Sequence, residues 1–173
     1  VYVRGLIEFT NYCRNDCLYC GIRKSNAAAH RYRLDEDTIL RCCQEAMIWD
    51  FAHLSCKVEK MDILQKRGLS TLSDESENIF PQCAITLSIG EWKKDSYQAF
   101  FDAGADRYLL RHETYNPEHY AKLHPPILSA AHRQQCLWDL KDIGYQVGTG
   151  FMVGAPYQTP EYLAEDMLFL KGT

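Results

Sequence analysis

Ala84-Ile85-Thr86-Leu87-Ser88-Ile89, a helical stretch from Lys93 to Ala103, and then Asp106-Arg107-Tyr108-Leu109-Leu110-Arg111 form the strand-helix-strand unit that decides the fold. Successive strand side chains point to opposite faces. In the first strand Ile85, Leu87 and Ile89 share one face, and Thr86, Ser88 and the following Gly90 share the other. In the second, Tyr108 and Leu110 oppose Arg107, Leu109, Arg111 and Glu113. Each strand thus has one bulky apolar face and one small or polar face. A helix of this length between two strands is a crossover that joins parallel neighbours, and parallel sheets are covered on both sides. The apolar faces are therefore expected to take an outer helix layer, leaving the polar faces to look into a barrel lumen or a crevice. The alternative is a one-sided sheet whose polar face meets water, as in antiparallel proteins.

The alternation continues in both directions. Further strands are expected at Val3 to Phe9 and Tyr145 to Val153, the latter with Tyr145, Val147, Phe151 and Val153 opposite Gly148, Gly150 and Met152. Further helices are expected at Asp35 to Trp49, Ala130 to Ile143 and Pro160 to Leu170. Asp35 and Thr159 stand where capping residues belong, Pro160 takes a first helical position, and Gly104 and Gly144 stop the helices before them. Between Trp49 and Asn78 the pattern lapses. Phe51 to Cys56 is short and mixed, Val58 to Leu69 has helical character, and Ser70 to Asn78 is polar and turn-like.

Composition narrows the function. Ordinary globular proportions over 173 residues exclude fibrous and low-complexity classes. A net charge of -4 offers no basic face for displacing counterions, so no nucleic-acid partner is expected. No run approaches the ~18 apolar residues of a membrane helix, and Arg4 and Glu8 interrupt the first apolar stretch. A soluble, cytoplasmic protein without a membrane partner is expected. Val1 lies inside an apolar segment and the helical pattern still runs at Leu168, so the chain reads as a piece of a longer one.

The chemistry concentrates in Cys13-Arg14-Asn15-Asp16-Cys17-Leu18-Tyr19-Cys20, a C-x3-C-x2-C pattern directly after the first strand. Loops at the C-terminal ends of parallel strands are where such folds carry their sites. Three thiolates within eight residues can converge on one object. A cubane iron-sulfur cluster wants one protein ligand per iron, so three cysteines leave one iron open. Structural zinc, with His30 or a distant cysteine as fourth ligand, is a second reading, and disulfides are a third. Cys42, Cys43, Cys56, Cys83 and Cys136 show no ligand spacing and read as small core residues or incidental thiols.

The cysteine pattern, with an aromatic residue just before its last Cys, resembles the radical S-adenosylmethionine superfamily. Ile7-Glu8-Phe9-Thr10-Asn11-Tyr12, Ser88-Ile89-Gly90-Glu91-Trp92, Arg111-His112-Glu113-Thr114 and the segment from Gly148 to Pro156 are similar to the HydE type within it. These are radical maturases of [FeFe]-hydrogenase; biotin synthase and methylornithine synthase are cousins. The resemblance implies a [4Fe-4S] cluster on Cys13, Cys17 and Cys20, and S-adenosylmethionine bound at the open iron and cleaved to a 5'-deoxyadenosyl radical. It implies contacts to that cofactor from Tyr19, Glu113, Arg133 and Met152, and a substrate cavity lined by Thr86, Arg107 and Arg111. A small iron-bound or amino-acid-derived substrate, an electron donor such as ferredoxin or flavodoxin, and other hydrogenase maturases are the implied partners. From local sequence alone Arg133 reads equally as a solvated helix residue. An ion pair with Glu113 is the competing reading for the two strand arginines.

Two departures accompany the resemblance. The family carries a Gly-Glu motif after its second strand, within a Ser-Gly-Glu-Asp run in the HydE type, and no such run occurs between Trp49 and Phe80. Residues 49–79 are therefore expected to have been read in a shifted frame or otherwise corrupted. A (βα)8 barrel takes ~250 residues, so an α/β fold comprising about five βα units of a TIM-type barrel, open and truncated, is expected.

Overall fold

In a computed structural model, which describes residues 5–48, 53–57 and 84–172, five strands form one parallel sheet in chain order. They are β1 (Gly5–Glu8), β2 (His53–Lys57), β3 (Ala84–Ser88), β4 (Arg107–Leu109) and β5 (Gln146–Gly148). The sheet does not close: among the described residues β1 and β5 are its two edges. Thr86 stands in register with Arg107, and Leu87 with Tyr108. The faces fall as the alternation requires. Ile7, Leu87, Ile89, Tyr108 and Leu110 are buried, whereas Leu6 on the opposite face is 58% exposed and Leu109 is 36% exposed.

The helix layer consists of α1 (Glu36–Ile48), α2 (Lys94–Asp102), α3 (Pro117–Leu123), α4 (Ala130–Ile143) and α5 (Pro160–Gly172). Ile39 and Cys43 of α1, Tyr97 and Phe100 of α2, and Cys136, Leu137 and Leu140 of α4 join the apolar strand faces in one core. Asp35 Oδ1 accepts from Thr38 N–H at 2.8 Å, and Thr159 Oγ1 from Tyr162 N–H at 3.3 Å, so both expected caps form. Gly144 closes α4 at φ +113°, where a side chain would be strained.

Three elements differ from the sequence reading. β2 forms although His53-Leu54-Ser55-Cys56-Lys57 contains no β-branched or aromatic residue; parallel neighbours on both sides hold it. The strand expected from Tyr145 to Val153 ends at Gly148, returns only as a bridge between Phe151 and Glu113, and leaves Val153 79% exposed. Two glycines in three residues weaken it, and a Cβ at Gly148 would stand 3.1 Å from Leu109 Cδ1, so that side chain would have to shift to admit one. Seven-residue α3 is too short to show periodicity. Its signal was the pair Asn116-Pro117: Asn116 Oδ1 accepts from the N–H groups of Glu118 and His119 at 3.0 and 3.1 Å. Asn116→Ala is expected to lower stability by about 1 kcal/mol, read as a reduced urea midpoint at unchanged slope. The readings of Val58 to Leu69, Ser70 to Asn78, Cys83 and most of residues 49–79 lie outside the described residues.

Candidate active site

The cysteine loop leaves β1 and is fastened at its base. Thr10 Oγ1 donates to Tyr32 O at 2.9 Å, Asn11 Nδ2 to His30 O at 2.7 Å, and Leu34 N–H to Phe9 O at 2.8 Å. The Arg31 guanidinium donates to the carbonyls of Asn11, Ile22 and Arg23, gathering two backbone segments around one planar fork. Asn15 N–H points at Cys13 Sγ at 3.3 Å, the kind of donor that favours a thiolate.

Cys13, Cys17, Cys20 and Tyr19 form one wall of a cavity of about 300 Å³. Ser88, Gly90 and Glu91 enter from the end of β3, Leu109, Arg111 and Glu113 from the end of β4, and Arg133 from α4. The cavity thus opens at the C-terminal ends of the strands, on their polar side. No three His, Cys, Asp or Glu side chains among the described residues gather around a point as one metal ion would require. Tetrahedral zinc at ~2.3 Å from each sulfur would need its thiolates about 3.8 Å apart.

Two carboxylates reach this cavity by different routes. Glu91 follows Gly90, whose φ of +79° turns the chain at the end of β3. Tyr108 Oη donates to Gly90 O at 2.7 Å, and Trp92 N–H to Tyr97 Oη at 2.9 Å. Those tyrosines meet edge to face at 5.1 Å, so buried aromatic packing sets the turn that aims Glu91. Glu91 Oε1 lies 2.8 Å from Arg133 Nε, both side chains being buried. Burial opposes the charge on Arg133, yet Glu91 and Tyr120 more than offset it and hold its pKa above the ordinary guanidinium value. Glu113 occupies the left-handed region at φ +67°, a strained place for a non-glycine residue. Its N–H donates to Gly150 O and its carbonyl accepts from Met152 N–H, at 3.1 and 2.9 Å. Arg111 Nε stands 3.3 Å from Glu113 Oε1, the arginine side chain 55% exposed and the carboxylate 7%.

The cavity therefore brings together Cys13, Cys17, Cys20, Tyr19, Glu113, Arg133 and Arg111. Thr86, Arg107 and Met152 are not among its lining residues. Thr86 and Arg107 sit in register two residues before the C-terminal ends of their strands, and Met152 meets the site through its backbone. Arg133 is 9% exposed, which corrects its reading as a solvated helix residue. The ion pair foreseen as the rival role for a strand arginine exists for Arg111. Glu91 was missed as a site residue although its string had been singled out; a Gly-Glu pair at the C-terminal end of a parallel strand was the available signal.

Behind the site, His112 and His124 are 1% and 3% exposed. Burial, then the Arg133 charge, holds His112 down to about 4, and burial likewise holds His124 down to about 4. Both are neutral at pH 7. His112, its Nδ1 3.0 Å from Thr149 Oγ1, therefore meets buried Asp166 as a neutral ring at 3.3 Å. Below pH 6.5 the unfolded chain takes up protons that the folded chain refuses until about pH 4. Each histidine then removes roughly 2 kcal/mol of stability by pH 5, and the Asp166 carboxyl, raised by burial, returns part of it. Urea midpoints should fall steadily from pH 7 to 4.5; a flat profile would contradict this.

A family model for the radical SAM superfamily matches residues 7–170. The chain belongs to the radical SAM superfamily. It is 40% identical over 171 residues to the [FeFe] hydrogenase maturase subunit HydE of Thermotoga maritima, an alignment spanning 99% of this chain and 48% of the relative. It is 28% identical over 119 residues to the 2-iminoacetate synthase of Salmonella typhimurium, spanning 68% of this chain and 31% of the relative. The crystal structure of methylornithine synthase (PylB) superposes with a TM-score of 0.88 at 22% identity, over 99% of this chain and 50% of that one. HydG, a maturase of the [FeFe]-hydrogenase, does so with 0.77 at 21% identity, over 98% of this chain and 38% of that one. These two likenesses establish a shared fold. This radical SAM chain spans about half, or less, of the length of the relatives it matches. No helix among its described residues is long and apolar enough to cross a membrane.

Proposed function

We propose that this chain is the cofactor-binding part of a HydE-type radical SAM enzyme acting in assembly of the [FeFe]-hydrogenase cluster. One observation carries the proposal: three thiols and a mixed set of buried charges line the same cavity at the C-terminal edge of the sheet. The open sheet is then the first part of a (βα)8 barrel of TIM type, whose lumen the polar strand faces would line.

The residues present fit the implied group. Cys13, Cys17 and Cys20 would hold a [4Fe-4S] cluster, which when bound supplies the electron for reductive cleavage of S-adenosylmethionine. That cofactor carries an ammonium, a carboxylate and a sulfonium, and the cavity offers both signs. Arg133 suits the carboxylate, because a guanidinium presents paired donors. Glu91 and Glu113 suit the ammonium. Tyr19, through its backbone, and Met152, beside Gly148 and Gly150, would border the nucleoside. Apolar Leu109 and Leu110 on the cavity wall limit the water and hydrogen donors that reach the reacting centre. Thr86, Arg107 and Arg111 would face a small iron-bound or cysteine-derived substrate deeper in the lumen. An electron donor of the ferredoxin or flavodoxin type, the other hydrogenase maturases and a cytoplasmic setting complete the proposal.

A second reading, a radical enzyme of the methylornithine synthase or biotin synthase type, draws on the 0.88 TM-score to PylB. Gene neighbours that encode other hydrogenase maturases would decide for the first. For the chemistry itself, the chain is loaded anaerobically with iron and sulfide, reduced and given S-adenosylmethionine. Release of 5'-deoxyadenosine or an adenosylated product is expected; a colourless protein that takes up zinc alone would contradict the proposal. Residues 49–79 are proposed to derive from a shifted reading frame, and an encoding nucleotide sequence with no frame restoring a Gly-Glu motif would refute that.

A further inference from the structure

Tyr19 lies between two of the three cavity thiols, and its side chain does not end in solvent. Its hydroxyl stands 3.2 Å from His124 Nε2, and the two rings meet edge to face at 5.4 Å. His124, just beyond α3, is 3% exposed and lies flat on Tyr120, ring centroids 3.8 Å apart and planes 13° from parallel. Its Nδ1 is 2.9 Å from Tyr120 O. A carbonyl only accepts, so Nδ1 carries the proton and Nε2 is left as an acceptor for the Tyr19 hydroxyl. One residue earlier on each side, Leu18 N–H donates to Leu123 O at 2.9 Å. The cysteine loop is therefore docked on the end of α3 by two adjacent hydrogen bonds.

We propose that His124 is a positioning residue for the cluster loop: by fixing Tyr19 it fixes the backbone that carries Cys17 and Cys20. The inference rests on the cofactor reading above for its purpose and on the docking geometry alone for its physics. A ring locked by stacking on one side and by a backbone bond on the other can hold the loop before any ligand arrives, so the thiols need not be ordered by the cluster itself.

The test begins with the metal-free chain, by amide hydrogen exchange. Tyr19→Phe removes one hydroxyl, and His124→Phe keeps the ring stack but removes both the Nε2 acceptor and the Nδ1 donor to Tyr120 O. Each is expected to speed exchange at Leu18 and Cys20 about five- to tenfold, the effect of one lost hydrogen bond. The double variant should add nothing beyond His124→Phe, His124→Gln, which returns an acceptor but neither the ring stack nor the Nδ1 bond, should recover part of the protection, and amides of α4 should be unchanged. In chains loaded with iron and sulfide, the two Phe variants should yield iron to a chelator about five- to tenfold faster, with an altered electron paramagnetic resonance spectrum. Unchanged loop amides in Tyr19→Phe, or acceleration spread equally over α4, would overturn the inference. Failure of the unmodified chain to load a cluster would count against the cofactor reading instead, and exchange in the metal-free chain would still decide the role of His124.

Discussion

The Cys17→Ala chain is expected to leave anaerobic loading with iron and sulfide colourless, whereas Cys136→Ala takes up iron as the unmodified chain does. Both are single thiol deletions in one 173-residue chain, so the contrast isolates position. Cys17 lines the cavity beside Tyr19 and opens to solvent, as a thiolate that meets incoming iron must. Cys136 is 1% exposed in the core, 3.9 Å from Trp92 O, and burial pushes its thiol up and away from the thiolate form. With Cys17 gone, two irons of a cubane lack protein ligands and the cluster loses its chelate. Iron per chain is the measurement. Retention of a full complement by Cys17→Ala, or its loss from Cys136→Ala, would overturn the ligand assignment.

Arg133→Met is expected to cost about 3–5 kcal/mol of stability, because it strands the Glu91 carboxylate without its ion partner inside the protein. Glu91 Oε1 and Arg133 Nε are 2.8 Å apart, and their side chains retain 2% and 11% exposure, so water cannot replace the lost charge. The cost lies in the stranded carboxylate more than in the pair. Accordingly Glu91→Leu with Arg133→Met should recover most of the stability, leaving a strongly non-additive cycle. Denaturant unfolding of both single variants and the double reads this directly. Additive losses would show that the two residues do not depend on each other. The rescued double variant would still lack two of the four cavity charges, so restored folding without restored cofactor binding is expected.

Much of this architecture was legible because period-two alternation and helix caps are local. Leu87 and Tyr108 are buried and Arg111 and Glu113 reach the cavity because one rule assigns a whole face. The rule failed where the backbone left the strand. Gly148 and Gly150 break β5, and Val153, assigned to the apolar face, lies in solvent. β2 was illegible for a different reason: its residues have little strand preference, and the neighbours that hold it are distant in sequence. The cysteines were legible as a set because their spacing is short. Glu91 was not, since its orientation depends on Tyr97 and Tyr108, which reach back from later elements. Arg133 likewise looked like any polar helix residue until the fold placed Glu91 beside it.

Electron-nuclear double resonance probes the site most directly. The iron-loaded chain is reduced and given S-adenosylmethionine whose amino nitrogen is isotopically labelled. A nitrogen coupling that appears with the labelled cofactor and vanishes in Cys17→Ala is the expected result: three cysteines leave one iron free to take the ligand. An intact four-iron spectrum indifferent to the cofactor would contradict it, and the cavity would then hold a cluster without the chemistry inferred from it.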